Sequence, residues 1–256
     1  MKIVVAIKQV PSRDSQLKVN AGGTWIEDAD LAWEINEPDA YALEAGLQLK
    51  EKHGGEVVVL CAGPETAAQT IREGLAKGAD RAIHIETEKA AFADPLVLAR
   101  MMAKALEAEK PDLVLTGLQS DDLGYGQTGV ILAEVMGLPH ATIIMNVEVE
   151  GAGIKVKREL EDGWFQNVEI PLPALLTIQS GATKLRYATL MGIKKAKSKE
   201  VRKVSAAELG GAGAASIKLD RIYMPEKTKN SQIFDGPAKE AAAKLVEKLR
   251  FEARVL

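Results

Sequence analysis

The chain has 256 residues, 46% of them apolar and only 4% aromatic, and a formal net charge of -3. That length suits one large α/β domain with an appendage or two modest domains, the composition excludes wholesale disorder, and the charge argues against a general nucleic-acid binder. A single cysteine, Cys61, excludes a disulfide framework and a cysteine-rich metal site.

The first stretch, "MKIVVAIKQV", is too short and too charged for a signal peptide, and no run of about 18 apolar residues offers membrane insertion, so the expectation is a cytoplasmic protein. "KIVVAIKQV" reads as the first strand and "DAYALEAGLQLKEKHG" as the first helix. They are followed by strand "EVVVLCAG", helix "ETAAQTIREGLAKG", strand "RAIHIE", helix "DPLVLARMMAKALEAEK", strand "DLVLTG" and helix "GQTGVILAEVMG". Asn36 before Pro38 and Asp39, Pro64 with Glu65, and Asp94 with Pro95 mark helix starts, while Gly54 and Gly78 mark stops. Strands that are nearly continuous apolar runs, alternating with helices, predict a doubly wound, mostly parallel α/β sheet covered on both faces. Cys61, inside such a run, reads as a buried structural thiol.

From "IIMNVEVEGAGIKVKREL" the period changes to two, predicting two strands around Gly151 to Gly153, and "GWFQNVEIPLPALLTIQ" predicts one or two more. These are expected as antiparallel extensions or an edge addition to the parallel sheet. Residues 180–233 show no sustained period, which suggests an arm lying on a partner; the basic run from Lys194 to Lys203 reads as a solvated segment. The tail predicts an amphipathic helix opened by Asp235 and Pro237, with Ala241, Leu245, Val246 and Leu249 on one face. The expected division is 1–180 for the α/β domain with its antiparallel extension and 181–256 for the arm and C-terminal helix.

Gly124, Gly126 and Gly129 spell G-x-G-x-x-G, the pattern of a dinucleotide fingerprint. That fingerprint belongs directly after the first strand, with an acidic residue about 20 positions on. Here it follows the fourth predicted strand, and Gly124 stands too far beyond Gly117 for a tight strand-to-helix turn. The match is therefore read as accidental. What remains is a strand end, a loop rich in Asp and Gly, and a helix beginning near Gln127 to Gly129. Such loop amides and a helix N-terminus can hold an anion, with Gln127 and Thr128 as added donors, or form an ordinary long loop. Asn36 and Asp39 can cap the first helix or bind an adenosine. Ala62 and Gly63 end the next strand with small residues, and in a doubly wound sheet all these loops converge in one crevice.

Catalytic constellations are otherwise missing. The three histidines, His53, His84 and His140, are scattered, and His84 reads as a satisfied strand residue. Asp121 and Asp122 could hold a metal with phosphates, although adjacent loop acids more often face solvent. The chain reads as a binder rather than a self-sufficient enzyme.

The order "VAIKQVP", "NEPDAYALEAGLQLKEK", "GPETAAQTIREGLAKGADRAIHI", "DLVLTGLQSDDLGYGQTG", "KVKRELEDG", "LPALLTIQ" and "LRYATLMGIKKAK" resembles the β-subunit of the electron transfer flavoproteins, from residue 2 to about 203. The resemblance implies a heterodimer with an α-subunit, a redox FAD shared with it, and a structural AMP in the β-subunit. It also implies electron transfer from an acyl-CoA or related dehydrogenase to a quinone-linked oxidoreductase or another redox partner. The AMP contacts it implies are Ala6; Asn36, Glu37, Pro38 and Asp39; Ala62; and Gly117, Leu118, Gln119, Ser120, Asp121, Asp122, Leu123, Gly124, Tyr125, Gly126, Gln127 and Thr128. The docking motif Tyr-Ala-Thr-Leu falls on Tyr187, Ala188, Thr189 and Leu190, with the leucine as an apolar anchor.

The loop departs from relatives that read Asn-Gln-Thr-Gly, because Gly126 replaces the asparagine. The retained Gln127-Thr128-Gly129 points to AMP. In the alternative, an electron-bifurcating subunit oxidising NADH, a second FAD takes that place. Arg13 falls near where some relatives carry an aromatic beside the flavin, and a cation there would favour reduced, anionic flavin. A nucleotide-sensing module of the universal-stress type remains as another class. An ATP-cleaving adenylating enzyme would need a glycine in "KQVPSRDS", which has none.

Overall fold

The computed structural model describes residues 1–88, 94–210, 214–226 and 231–256. Residues 211–213 and 227–230 of the expected arm therefore lie outside the described residues. The chain divides into two compact units, Met1–Arg221 and Ile222–Leu256.

In the first unit the predicted alternation is realised as β1 (Lys2–Ile7), α1 (Glu37–His53), β4 (Glu56–Gly63), α2 (Ala68–Lys77), β5 (Arg81–Glu86), α3 (Pro95–Leu106), β6 (Leu113–Gly117) and α4 (Thr128–Met136). Two short strands that the sequence did not announce, β2 (Gln9–Pro11) and β3 (Trp33–Ile35), form a separate antiparallel pair. The apolar run "KIVVAIKQV" thus breaks at Lys8, and its second half leaves the main sheet.

Strand side chains alternate between two cores because successive Cβ atoms point to opposite faces. Ile3, Val5, Val57, Val59, Leu113 and Leu115 pack with Leu43, Leu47, Ile71 and Leu75 of α1 and α2. Val4, Val58, Leu60 and Val114 pack on the other side with Val97, Met101 and Leu132 of α3 and α4. Covering both faces is what makes these strands read as unbroken apolar runs.

After α4 come β7 (His140–Glu150), β8 (Gly153–Glu159), β9 (Phe165–Pro171) and β10 (Ala174–Ile178). The β7–β8–β9 ladder is antiparallel, as the period of two predicts. By contrast, β10 is neither an antiparallel extension nor an edge addition. It lies parallel to both β6 and β7, between them, and all five of its residues are buried. The reason is visible in "ALLTI": four apolar residues of five, with Thr177 the exception, need cover on both faces, which the sheet interior provides.

The region expected to lack pattern contains α5 (Leu190–Ala196) and an edge strand, β11 (Val201–Ser205), paired in parallel with β5. Its basic run is solvated at Lys194, Lys195 and Lys197, as expected, and pinned from Lys199 on. Lys199 Nζ donates to the carbonyls of Leu75 (2.9 Å) and Ala79, Arg202 Nη2 to Ala105 O (3.1 Å), and Lys203 Nζ to Glu86 Oε1 (2.6 Å).

Among the described residues the main sheet therefore has nine strands, in the order β11-β5-β4-β1-β6-β10-β7-β8-β9. The chain moves from β1 outward to β4 and β5, then returns to place β6 on the other side of β1. That reversal opens a crevice at the carboxyl ends of β1 and β6. In the second unit, α6 (Ala238–Phe251) starts after Pro237 without a side-chain cap, and its Leu245 and Val246 are exposed.

Candidate functional site

The crevice at the strand reversal is a solvent-open cleft. Its frame is set by the first turn of α1. Asn36 stands at the N-cap position but makes no cap hydrogen bond. Instead its Nδ2 donates to Gln119 O (2.9 Å) and its Oδ1 accepts from Asp121 N (2.8 Å), so one amide holds both sides of the loop after β6. The Asp39 carboxylate accepts from Lys8 N (2.8 Å) on one oxygen and from Gly117 N (2.8 Å) on the other. It thereby clamps the ends of β1 and β6 to the helix. Asp39 is 7% exposed, and burial pushes its carboxyl up to about 7 even though the two backbone donors favour the charged form.

Gly117 sits where nothing larger fits: a Cβ there would lie 2.3 Å from Asp39 Oδ1. Gly124 and Gly126 adopt φ of +64° and +62°, a left-handed backbone that glycine alone enters freely. Lys8 Nζ stands 3.3 Å from Ser120 Oγ and 2.6 Å from Asp122 Oδ1. On the outer side, Asp121 Oδ2 accepts from Glu37 N (3.3 Å) and lies 3.5 Å from the Arg13 guanidinium, which also pairs with Glu37. Neither loop aspartate is a bare solvent-facing acid, and the Arg13 charge is already matched by two carboxylates.

The far wall is the start of α4. Gln127 provides no side-chain cap, and Gly129 is pressed so close that a Cβ would lie 2.5 Å from Thr116 Oγ1. The first amides of α4 are therefore not taken by a capping side chain and point their positive helix end at the cleft. Ala6 and Ala62 let a ligand approach the strand ends, while Leu98, Met102, Leu118, Leu123 and Tyr125 supply apolar wall. Small strand ends, a helix start and an apolar wall fit an adenine nucleotide: amides for its phosphate, surface for its ring.

Of the residues expected to bind, Ala6, Asn36, Asp39, Ala62, Gly117, Leu118, Gln119, Ser120, Leu123, Tyr125, Gly126, Gln127 and Thr128 line the cleft. Glu37, Pro38, Asp121, Asp122 and Gly124 stand behind that lining. Pro38 packs on Gly117, and the others brace the loop. Sequence reasoning missed Ile7, Lys8, Leu98, Met102, Thr116 and Gly129. The signals were modest: Lys8 directly follows the strand, and Leu98 and Met102 share a helix face at i, i+4.

Tyr187, Ala188, Thr189 and Leu190 form no part of the cleft. Thr189 caps α5, its Oγ1 accepting from Gly192 N (3.0 Å), and the flanking Tyr187 and Leu190 are 93% and 88% exposed. Cys61 and His84 are buried in the sheet, and His84 is only half satisfied, contrary to expectation, because its Nδ1 has no hydrogen-bond partner among the described residues. Burial pushes the Cys61 thiol up to about 12, and His84 is buried with Nε2 3.1 Å from Gly63 O. Among the described residues, no group of His, Cys, Asp or Glu is arranged to hold a metal, and no helix is long and apolar enough to cross a membrane.

The profile of the electron transfer flavoprotein domain matches residues 23–209. An electron transfer flavoprotein subunit beta of Methylophilus methylotrophus is 36% identical over 257 residues, covering 96% of this chain and 97% of the relative. The subunit beta of Bradyrhizobium diazoefficiens is 37% identical over 259 residues and the mitochondrial one of Arabidopsis thaliana 32% over 259, each covering 100% of both chains. With the profile spanning most of the chain and relatives matched from end to end, the chain belongs to the electron transfer flavoprotein family, as a β-subunit.

Proposed function

We propose that this chain, paired with an α-subunit, carries electrons from an acyl-CoA or related dehydrogenase to a quinone-linked oxidoreductase or another redox partner, and that its cleft holds AMP as a structural ligand. The FAD shared with the α-subunit supplies the redox chemistry when bound, and this chain supplies position and electrostatics. The observation that carries the AMP assignment is the uncapped start of α4 opening into a cleft framed by Asn36 and Asp39. Backbone amides of Thr128 and Gly129 with the Gln127 side chain would take the phosphate. Ala6 and Ala62 would let the adenosine lie against the strand ends, and Leu98 and Met102 would cover it. The exposed Leu190 supports the docking assignment, because a capped helix start holds an apolar side chain outward without covering it.

The test is the nucleotide content of the purified heterodimer, released by heat and identified by mass. About one FAD for each AMP is expected, as befits one shared flavin and one structural nucleotide. Two flavins and no AMP would overturn the assignment in favour of a bifurcating subunit that oxidises NADH. The chain by itself is expected to show no turnover with an acyl-CoA or NADH.

A further inference from the structure

α1 holds two regions at once. Its first turn frames the cleft, and Glu44, Gln48 and Glu51, spaced i, i+4 and i+7 on one face, hold the chain that leads into Tyr187. The contact is concentrated on one side chain. Arg186 Nε donates to Glu44 Oε2 (2.7 Å) and Nη2 to Glu44 Oε1 (3.0 Å). Nη1 donates to Glu51 Oε1 (2.6 Å) and Nη2 to Glu51 Oε2 (3.1 Å). The backbone amide of Arg186 also points to Glu44 Oε2 (3.3 Å). Gln48 Nε2 bridges the same Glu44 (2.9 Å) to Thr183 Oγ1 (2.9 Å), three residues upstream. Burial pushes the Glu44 carboxyl up, but Arg186 outweighs it and holds the group below the usual carboxylate range.

The other end of the segment is fixed as well. Gly192 approaches Ala76 O so closely that a Cβ would lie 2.3 Å from it, and Arg72 Nη1 donates to Ala196 O (2.9 Å) at the end of α5. Tyr187 to Leu190 is thus strung between two anchored points. Its large side chains nevertheless face water, so none of this anchoring serves to bury them. A short apolar segment held in one conformation while exposed loses little freedom on binding, which is how preorganisation raises affinity.

We infer that Arg186 is a positioning residue for docking: its forked contacts with Glu44 and Glu51 fix the root of Tyr187–Leu190 so that Leu190 meets the partner already in its bound geometry. The inference rests on the docking reading above. Lysine cannot replace the arginine, because one ammonium cannot span two carboxylates with paired hydrogen bonds.

The test uses the flavin-loaded heterodimer and, as electron donor, an acyl-CoA dehydrogenase reduced by its own acyl-CoA. Arg186→Lys is expected to raise the KM for the heterodimer about tenfold with kcat within about twofold, the pattern of lost preorganisation rather than lost chemistry. In parallel, a nitroxide on Leu190→Cys is expected to show narrower spectral lines when Arg186→Lys is added. Within this chain Cys61 is buried and does not compete for the label, which is attached before the α-subunit is added. Leu190→Ala checks the docking reading itself. If it leaves KM unchanged, that reading falls, and the nitroxide still reports whether Arg186 orders the segment. If Leu190→Ala raises KM while Arg186→Lys moves neither KM nor line width, the inference is overturned. Should Arg186→Lys fail to fold, Glu51→Gln removes the exposed half of the clamp and is read in the same two ways.

Discussion

Gly117→Ala is expected to lower the unfolding free energy by about 3 kcal/mol and to leave the purified heterodimer without the proposed AMP. The added methyl would lie 2.3 Å from Asp39 Oδ1, 2.7 Å from Pro38 Cβ and 2.8 Å from Asp39 N. Two of these three are not the yielding ends of long side chains. Asp39 is tied to Lys8 N and Gly117 N, and Pro38 is part of the helix start, so α1 must move as a body or the clamp must break. Overpacking alone costs about 1–3 kcal/mol, and breaking the clamp leaves buried amides without acceptors. Gly137→Ala is the control. Gly137 ends α4 at φ of +64° with nothing within 4 Å, so its replacement should cost about 1 kcal/mol and leave the nucleotide in place. Urea unfolding with nucleotide analysis separates the two. Equal losses for both variants would show that the close contact between β6 and α1 has no special weight.

Asp39→Asn is expected to change how stability depends on pH. The buried carboxyl is pushed up to about 7 in the folded chain, whereas an exposed aspartate titrates near 3.8. Between those values the native state binds the proton more firmly than the unfolded state does, so unfolding releases it, and this group's contribution to stability falls as pH rises. Above about pH 7 the carboxylate is ionised in both states, and its contribution becomes flat. Glu51 and Glu109, hydrogen-bonded to Arg186 and Arg81, are shifted the other way and lose their stabilising effect only as pH falls below the ordinary carboxylate range. Urea midpoints of the native chain should therefore decline from pH 5 to pH 7. Asparagine keeps one acceptor and turns an amide group toward a backbone N–H, costing about 2 kcal/mol at pH 5. It should also flatten the decline. Parallel pH profiles for the two proteins would assign the slope to other groups.

The parallel core was legible because its strands carry unbroken apolar runs on both faces, as "EVVVLC" shows. By the same criterion "ALLTI" belonged inside the sheet, but its place after an antiparallel meander disguised it. β11 was not legible: "VRKVS" is a half-covered edge strand, so three of its five residues are polar. α5 is only seven residues long, too short for a helical period, although Thr189 three positions before Gly192 is a cap signal. At the cleft, small residues and loop composition revealed the strand ends. Lys8 escaped notice because its role depends on Ser120 and Asp122, more than 100 residues away, and no local pattern encodes that pairing.

The interior place of β10 sets the order in which the sheet can assemble. When synthesis has passed Gly117, β6 has one neighbour, β1, and its other edge stays open until residues 174–178 emerge. Meanwhile β7, β8 and β9 can pair with one another through short turns, the faster kind of pairing. Two half-sheets thus wait for a single five-residue strand to join them. A chain halted before Ala174 would leave β6 and β7 open where β10 belongs, and β5 open where β11 belongs, ready templates for pairing with other molecules. Such a fragment is expected to pellet on centrifugation where the full chain stays in solution.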